Sequence, residues 1–496
     1  MGDTDSIQQD FLHRLRKIPT QGIGLSVDVY TPDLFELVNR FRERGLQPGF
    51  LEVFKATTTA LTRVRQAMPD IPLAYHGEGL WITQPDVQSS PFFQQDVAEM
   101  VSQLKSMQSP WLNHECAMKQ MAGYSFGTYV PPLYTPLSAK VVADNIAMVQ
   151  QAIDYQSGWT DGSPPLFLLE MPPLTYFSAG TIPIPDFFRL VTASVPCGLV
   201  LDIGHLWTVY RYTTACRRTS LERFVQDFLD EFPLERVVEI HIAGLACHEA
   251  IGEGKVGEGL PEWIDAHAAQ IPSILFTMLE QVLAHSNLLS LRAVALEVDT
   301  KPIEMIVKEY AEVIRRFSFL VQQAMARETA VNHLIEHTPH QVSFPVPVCQ
   351  SDRQQLCDDY ARYAKIISGQ ASLTGSEWQE VAAEPSGLTR YCTTYVPHEI
   401  LHWGGDLAEM FPQTCRSLGK RGVCLTEFVV FWFRAPRPLT HSYDFFLLKI
   451  ERFLEFVTDR APEARVLVEQ EGDMLRLAYA QANEVGEPVL EMEQSR

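Results

Sequence analysis

Five short segments in the first 300 residues carry an apolar, strand-like run into a histidine or a carboxylate. They are AYHGEGLWI with His76, LFLLEMPP with Glu170, GLVLDIGHLW with Asp202 and His205, VVEIHIAG with His241, and AVALEVDT with Glu297. Between them lie stretches with apolar residues at helical spacing, such as PDLFELVNRFRERG and AKVVADNIAMVQQAID. Strand, loop and helix alternate about eight times over roughly 300 residues, the pattern of a parallel α/β fold. A doubly wound sheet would alternate similarly. The repeated placement of ligand-type residues at predicted strand ends favours a TIM (β/α)8 barrel, which gathers such ends on one face.

Two further segments carry the same residue types without an apolar lead: LNHECAM with His114, and EWIDAHA with Asp265 and His267. A carboxylate at the end of an apolar strand must be ion-paired, hydrogen-bonded or metal-bound to be tolerated, so Glu170 and Glu297 constrain their surroundings most. Asp299 shares a strand face with Glu297 by the two-residue period, or else serves the turn that follows. Asp265 and His267 share a face if the segment is extended. Glu115 is read as facing solvent, and Cys247, His248 and Glu249 as a simple polar loop. Together these residues make a mixed imidazole and carboxylate set, which suits Fe, Mn or Zn in a reactive site. The absence of any CxxC argues against a thiolate-bound structural zinc.

The composition changes near residue 330, where VNHLIEHTPHQVSFPVPVCQSDRQQ reads as a linker. Residues 1–330 are therefore expected to form the barrel, and 340–496 a smaller, mainly helical α+β domain. Within it LCDDYARYAKIISG, LAEMFPQTCRSLG and YDFFLLKIERFLEFVTDRAP read as helices. CLTEFVVFWFRA is either a strand or a buried helix. VLVEQEGDMLRLAYA reads as a terminal hairpin turning at EGD.

The formal charge of −21 comes without any dense Lys/Arg run, which argues against a nucleic-acid surface. No stretch approaches a membrane span, and the N-terminus lacks the apolar core of a signal peptide. An MGxxxS match there is read as chance, given Asp3. Nine scattered cysteines fit free thiols in a reducing cytosol, so a cytoplasmic protein is expected.

The order of these segments over residues 20–320 resembles the multinuclear non-heme iron-dependent oxidative enzymes, the MbnB-like and TglH-like family. GIGLSVDV is similar to that family's opening strand, HGEGLWI to its first ligand histidine (His76), and LNHECAM to a second (His114). VPPLYT, a helix and LLEMPP resemble the stretch bearing its glutamate (Glu170). GLVLDIGHLW, EIHIAG, EWIDAHA and ALEVDTKP resemble the segments supplying Asp202 with His205, His241, Asp265 with His267, and Glu297. Departures are Met171 after the glutamate, His205 in place of asparagine, Leu245 in place of a histidine, and an enlarged loop at 246–262.

The resemblance implies a TIM barrel holding two or three irons of mixed Fe(II)/Fe(III) state, which uses dioxygen to modify a residue of a ribosomally made precursor peptide, cysteine being the expected target. Glu170, Asp265 and His267 become the candidate catalytic residues. A separate leader-binding partner is implied, and residues 340–496 could be a fused equivalent. The competing readings are a xylose-isomerase-like divalent-metal sugar isomerase or epimerase, a zinc phosphodiesterase resembling endonuclease IV, against which the acidic charge argues, and a non-catalytic barrel scaffold.

Overall fold

The computed structural model describes residues 2–159, 162–247, 263–327, 347–372, 378, 385–437, 439 and 442–485. In chain order the strands are β1 (Gly22–Val27), β2 (Leu51–Phe54), β3 (Leu73–Gly77), β4 (Trp111–Glu115), β5 (Met118–Met121), β6 (Tyr124–Val130), β7 (Leu133–Tyr134), β8 (Leu166–Glu170), β9 (Ala179–Gly180), β10 (Gly198–Asp202), β11 (Val237–Ile242), β12 (Leu245–Cys247), β13 (Trp263–Asp265) and β14 (Ala293–Glu297). Strands β1, β2, β3, β4, β8, β10, β11 and β14 pair in that order and close on themselves as an all-parallel eight-stranded barrel. Helices such as Leu34–Glu43, Phe93–Met107, Pro136–Asp154 and Ile303–Ala326 return the chain between strands or close the series. The TIM barrel expected from the alternation is the observed architecture.

The two-residue strand period sorts side chains into an outer set that packs on the helices and an inner set that fills the barrel. The inner set has two storeys. Near the N-terminal ends, Trp111, Leu166, Leu168, Val200, Ala293 and Ala295 form an apolar floor. Two residues further along the same strands come Asn113, Glu170, Asp202 and Glu297, all buried. On β11 the register shifts: Leu199 pairs with Val237, but Val200 with Glu239. The extra residue on β11 lets Val238 join the floor while Glu239 and His241 stand above it.

The floor is sealed by the helix Gly2–Leu15, whose Phe11 and Leu15 join its apolar cluster, both 0% exposed. The Arg292 guanidinium fixes the exit of this helix by donating to the carbonyls of Leu15 and Ile18, at 3.1 and 2.9 Å. Phe11→Ala is expected to destabilise the protein by about 3 kcal/mol through the cavity left under the barrel, read as a shift in chemical denaturation.

Beyond Glu297 every regular element among the described residues is helical, among them Gln350–Ile367, Val396–His402, Pro412–Lys420, Thr426–Trp432, Phe445–Arg460 and Arg465–Val485. The open reading of CLTEFVVFWFRA resolves to a short helix, Thr426–Trp432, with Phe428, Val429, Phe431 and Trp432 buried and Val430 exposed. The terminal hairpin is a correction: VLVEQEGDMLRLAYA lies within the single helix Arg465–Val485. Glu471 of the supposed turn is buried and accepts from the Gln413 and Thr414 amides, at 2.8 and 3.0 Å, at the start of the helix Pro412–Lys420. There an acid meets the positive helix end. A Cβ on Gly472 would stand 3.3 Å from Ile450, so glycine here serves close helix packing rather than a turn.

These helices share one continuous apolar core with the outer layer of the barrel. They meet it at the β5–β6 hairpin, where Trp432 Nε1 donates to the Ser125 carbonyl at 2.7 Å and the Arg437 amide to the Gly123 carbonyl at 2.6 Å. Among the described residues no helix is long and apolar enough to cross a membrane.

Candidate metal centre

Strand ends deliver most of the expected residues to the upper storey. Glu170 ends β8, Asp202 ends β10, and Glu297 ends β14; His76 and His241 are the penultimate residues of β3 and β11. Asp202 also caps the helix Ile203–Tyr212, accepting from the His205 amide at 2.5 Å, which brings His205 back over the barrel in the first turn. The antiparallel β12–β13 pair, with Leu245 opposite Asp265, folds Asp265 and His267 over the same mouth.

Eight of the nine expected ligands form one chain of contacts. His76 Nε2 lies 3.2 Å from Glu170 Oε2, and His241 Nδ1 lies 3.3 Å from both Glu170 Oε1 and Glu297 Oε1. His267 Nε2 is 3.4 Å from Glu297 Oε2 and 3.1 Å from Asp265 Oδ2. His205 Nε2 is 3.4 Å from Asp265 Oδ2 and 3.7 Å from Asp202 Oδ1.

His114 is the exception: the structure does not bring it together with the other eight. The parity of β4 turns Asn113 and Glu115 inward and His114 away from the cluster. Both ring nitrogens of His114 are engaged by backbone: Nδ1 donates to the Glu115 carbonyl at 2.9 Å, and Nε2 accepts from the Leu80 amide at 3.2 Å. Burial pushes this imidazole down to about 4, so it stays neutral.

Several residues escaped the expected ligand set. Glu115, read as solvent-facing, is buried and joins the cluster. Asn113 Nδ2 donates to Glu170 Oε2 at 2.8 Å. Glu52 and Glu239 are fully buried beneath His241, and Asp299 Oδ1 pairs with His267 Nδ1. The available signal was strand period: in LEVF and VVEIHI an acid alternates with apolar residues, and an acid on the inward face needs a partner. Of the loop read around Cys247, residues His248 and Glu249 lie outside the described residues.

Three sets of donors within the mouth have one atom per residue lying within 4.8 Å of one another: Glu115, Glu170 and His205; Glu170, Asp202 and His241; and Asp265, His267 and Glu297. Bonds of about 2.0–2.2 Å to nitrogen and oxygen give comparable spacings between donors around one ion. Glu170 belongs to two of the sets. The third is the most open, with 26% of the His267 side chain exposed.

The electrostatics are those of an acid-rich enclosure. Burial opposes charge on His76, yet Glu170 and Glu52 outweigh it and push this imidazole up to about 9. Burial also opposes charge on His205, His241 and His267, but their acidic neighbours raise all three. Burial pushes Asp202 up to about 8, with Glu297 and Asp265 adding to it against His205. Among the described residues, Asp202 Oδ2, Asp265 Oδ1, Glu297 Oε2, Glu115 Oε2 and both His241 nitrogens are buried without an aligned hydrogen-bond partner. Carboxylates competing for too few protons, with orphaned donors facing one another, fit cations of the Fe, Mn or Zn type.

A family model described as the RiPP precursor modification enzyme MbnB/TglH/ChrH matches residues 22–318. The chain belongs to that family. Within MbnB/TglH/ChrH, the matched span runs from β1 through most of the helix Ile303–Ala326 and so contains every residue of the cluster. The chain is 27% identical over 211 residues to a UPF0276 protein of Paraburkholderia phytofirmans, covering 40% of this chain and 60% of that one. It is also 27% identical over 229 residues to a UPF0276 protein of Rhizobium meliloti, covering 45% and 63%. The chain thus spans less than two thirds of the length of these two relatives. Among solved structures, it is similar to endonuclease IV from Thermus thermophilus, at 14% identity and TM-score 0.35, over 61% of this chain and 99% of that one. It is similar also to D-psicose 3-epimerase from Clostridium cellulolyticum, at 10% identity and TM-score 0.33, over 64% and 99%.

Proposed function

We propose that this member of the family is an iron- and dioxygen-dependent oxidoreductase that modifies a residue, cysteine in the first instance, of a ribosomally made precursor peptide. Family membership supports peptide modification. The observation that carries the metal reading is Glu170, a buried carboxylate shared by two neighbouring donor sets. In this reading two or three irons are held by His76, Glu115, Glu170, Asp202, His205, His241, Asp265, His267 and Glu297. Iron in such a site supplies one-electron chemistry and an open position for dioxygen.

The chain's own residues do the rest. Glu170, common to two donor sets, would help hold an ion in each, and Asn113 steadies its carboxylate from the side. Asp265 and His267 hold the outermost position, where a peptide side chain arriving from solvent meets the site first. The apolar floor beneath keeps water from approaching from below. A leader-binding partner completes the proposal, with residues 340–496 in that role or beside it. The aromatic run FVVFWFRA is not the groove for it, because Phe428, Phe431 and Trp432 are core.

The test is protein purified without oxygen, its metals counted and its ultraviolet-visible spectrum recorded, then exposed to air with a cysteine-containing peptide encoded beside the gene. Two or three irons per chain and an oxygen-dependent change in peptide mass are expected. Protein that takes up no transition metal overturns the reading. Sugar turnover with Mn and no oxygen would replace it with the isomerase.

A further inference from the structure

We propose that Glu52, a residue outside the metal-binding sets above, is the positioning residue that commits His241 to the metal centre through Nδ1. The inference rests on the metal centre proposed in the preceding subsection.

Four imidazoles face the cluster, and three of them are held from behind by a hydrogen bond. His76 Nδ1 is held by the Gly77 carbonyl at 3.2 Å, and His205 Nδ1 by the Met171 carbonyl at 2.7 Å. His267 Nδ1 is held by Asp299. In all three, Nε2 faces the acids of the mouth. His241 is turned the other way. Its Nδ1 faces Glu170 and Glu297, while Nε2 points down the barrel and lies 3.1 Å from Glu52 Oε1. A ring nitrogen that meets a metal has its opposite N–H tied to a carbonyl or carboxylate, which fixes both tautomer and orientation. Glu52 is the residue placed to do this for His241.

Glu52 is itself clamped. Ser26 Oγ donates to its Oε1 at 3.1 Å and Trp111 Nε1 to its Oε2 at 3.3 Å, and the side chain is 0% exposed. It stands on β2 one storey below the donors of the mouth, between the apolar floor and His241. Glu52, Glu239 and His241 could also be read as a set holding an ion of its own, since their donors too lie within 4.8 Å. Against this, both Glu52 oxygens already accept from neutral donors. The only His241 nitrogen on that side is the one facing Glu52, with Glu239 Oε1 further off at 3.6 Å.

The two readings separate by counting ions. Full-length wild type and Glu52→Gln are titrated with Co(II) under anaerobic conditions, and the visible bands and the ions bound at saturation are recorded. The expected result is an unchanged number of ions, one of them held about 10–100-fold more weakly, with altered bands for that ion alone. Loss of one ion with the others untouched makes Glu52 a ligand and overturns the proposal. A titration and spectrum identical to wild type leave Glu52 only a structural role and overturn it equally. If Glu52→Gln does not fold, Ser26→Ala loosens the clamp and is expected to weaken the same ion by up to about tenfold; no change there overturns the proposal. Wild type that binds no Co(II), Fe(II) or Zn(II) removes the metal centre itself, a failure distinct from the others.

Discussion

Glu170→Ala is expected to lose iron and peptide-modifying activity together, with at least two ions weakened more than about 100-fold. Loss of a group that merely orients a ligand costs about 10–100-fold in metal affinity, and Glu170 does more. It contacts His76 and His241, accepts from Asn113, and belongs to two of the three donor sets in the mouth. Removing it opens both positions at once. The fold should survive, because the apolar floor and helical layer are untouched and one negative charge leaves an acid-crowded enclosure. Circular dichroism and metal analysis on the same sample provide the check. Iron retained at full stoichiometry would contradict the shared role.

The second large effect lies far from the chemistry. Gly127→Val is expected to destabilise the protein by about 4 kcal/mol, the sum of two costs. Gly127 has φ +70°, and an added Cβ would stand 2.9 Å from Phe445 Cε2 and closer still to Cζ. The left-handed backbone costs an L-residue about 1–2 kcal/mol, and overpacking a tight contact about 1–3 kcal/mol. Phe445 opens the helix Phe445–Arg460 and packs its ring on Trp432, with centroids 5.6 Å apart, so it has little room to retreat. Chemical denaturation measures the loss, and limited proteolysis should find the C-terminal helices cleaved sooner. A loss under about 1 kcal/mol would mean that the seam between hairpin and helices is soft.

Much of this was legible in the chain. The alternation of strand and helix pointed to the barrel, because parallel strands buried on both faces write themselves as apolar runs. The same runs exposed Glu170, Asp202, His241 and Glu297, since a polar residue at such a place stands out. His114 and Glu115 show where legibility ends. Adjacent residues in a strand point to opposite faces, and only the register of β4 against β8, with Glu115 beside Glu170, says which one turns inward. Glu52 and Glu239 were hidden for a related reason. They precede the strand ends, and an inward acid looks the same in sequence as an outward one paired on the surface. The helix Arg465–Val485 was misread because EGD signals a turn locally, while the partners that keep it helical, Thr414 and Ile450, lie far away in sequence.

The plug formed by Phe11 and Leu15 makes the barrel a cup rather than a tube. On the proposed function, ions and substrate then come and go by the same rim, where His267 is the most open of the clustered histidines. If the proposed function holds, metal loading precedes peptide docking, and a chain occupied by peptide neither gains nor surrenders its ions.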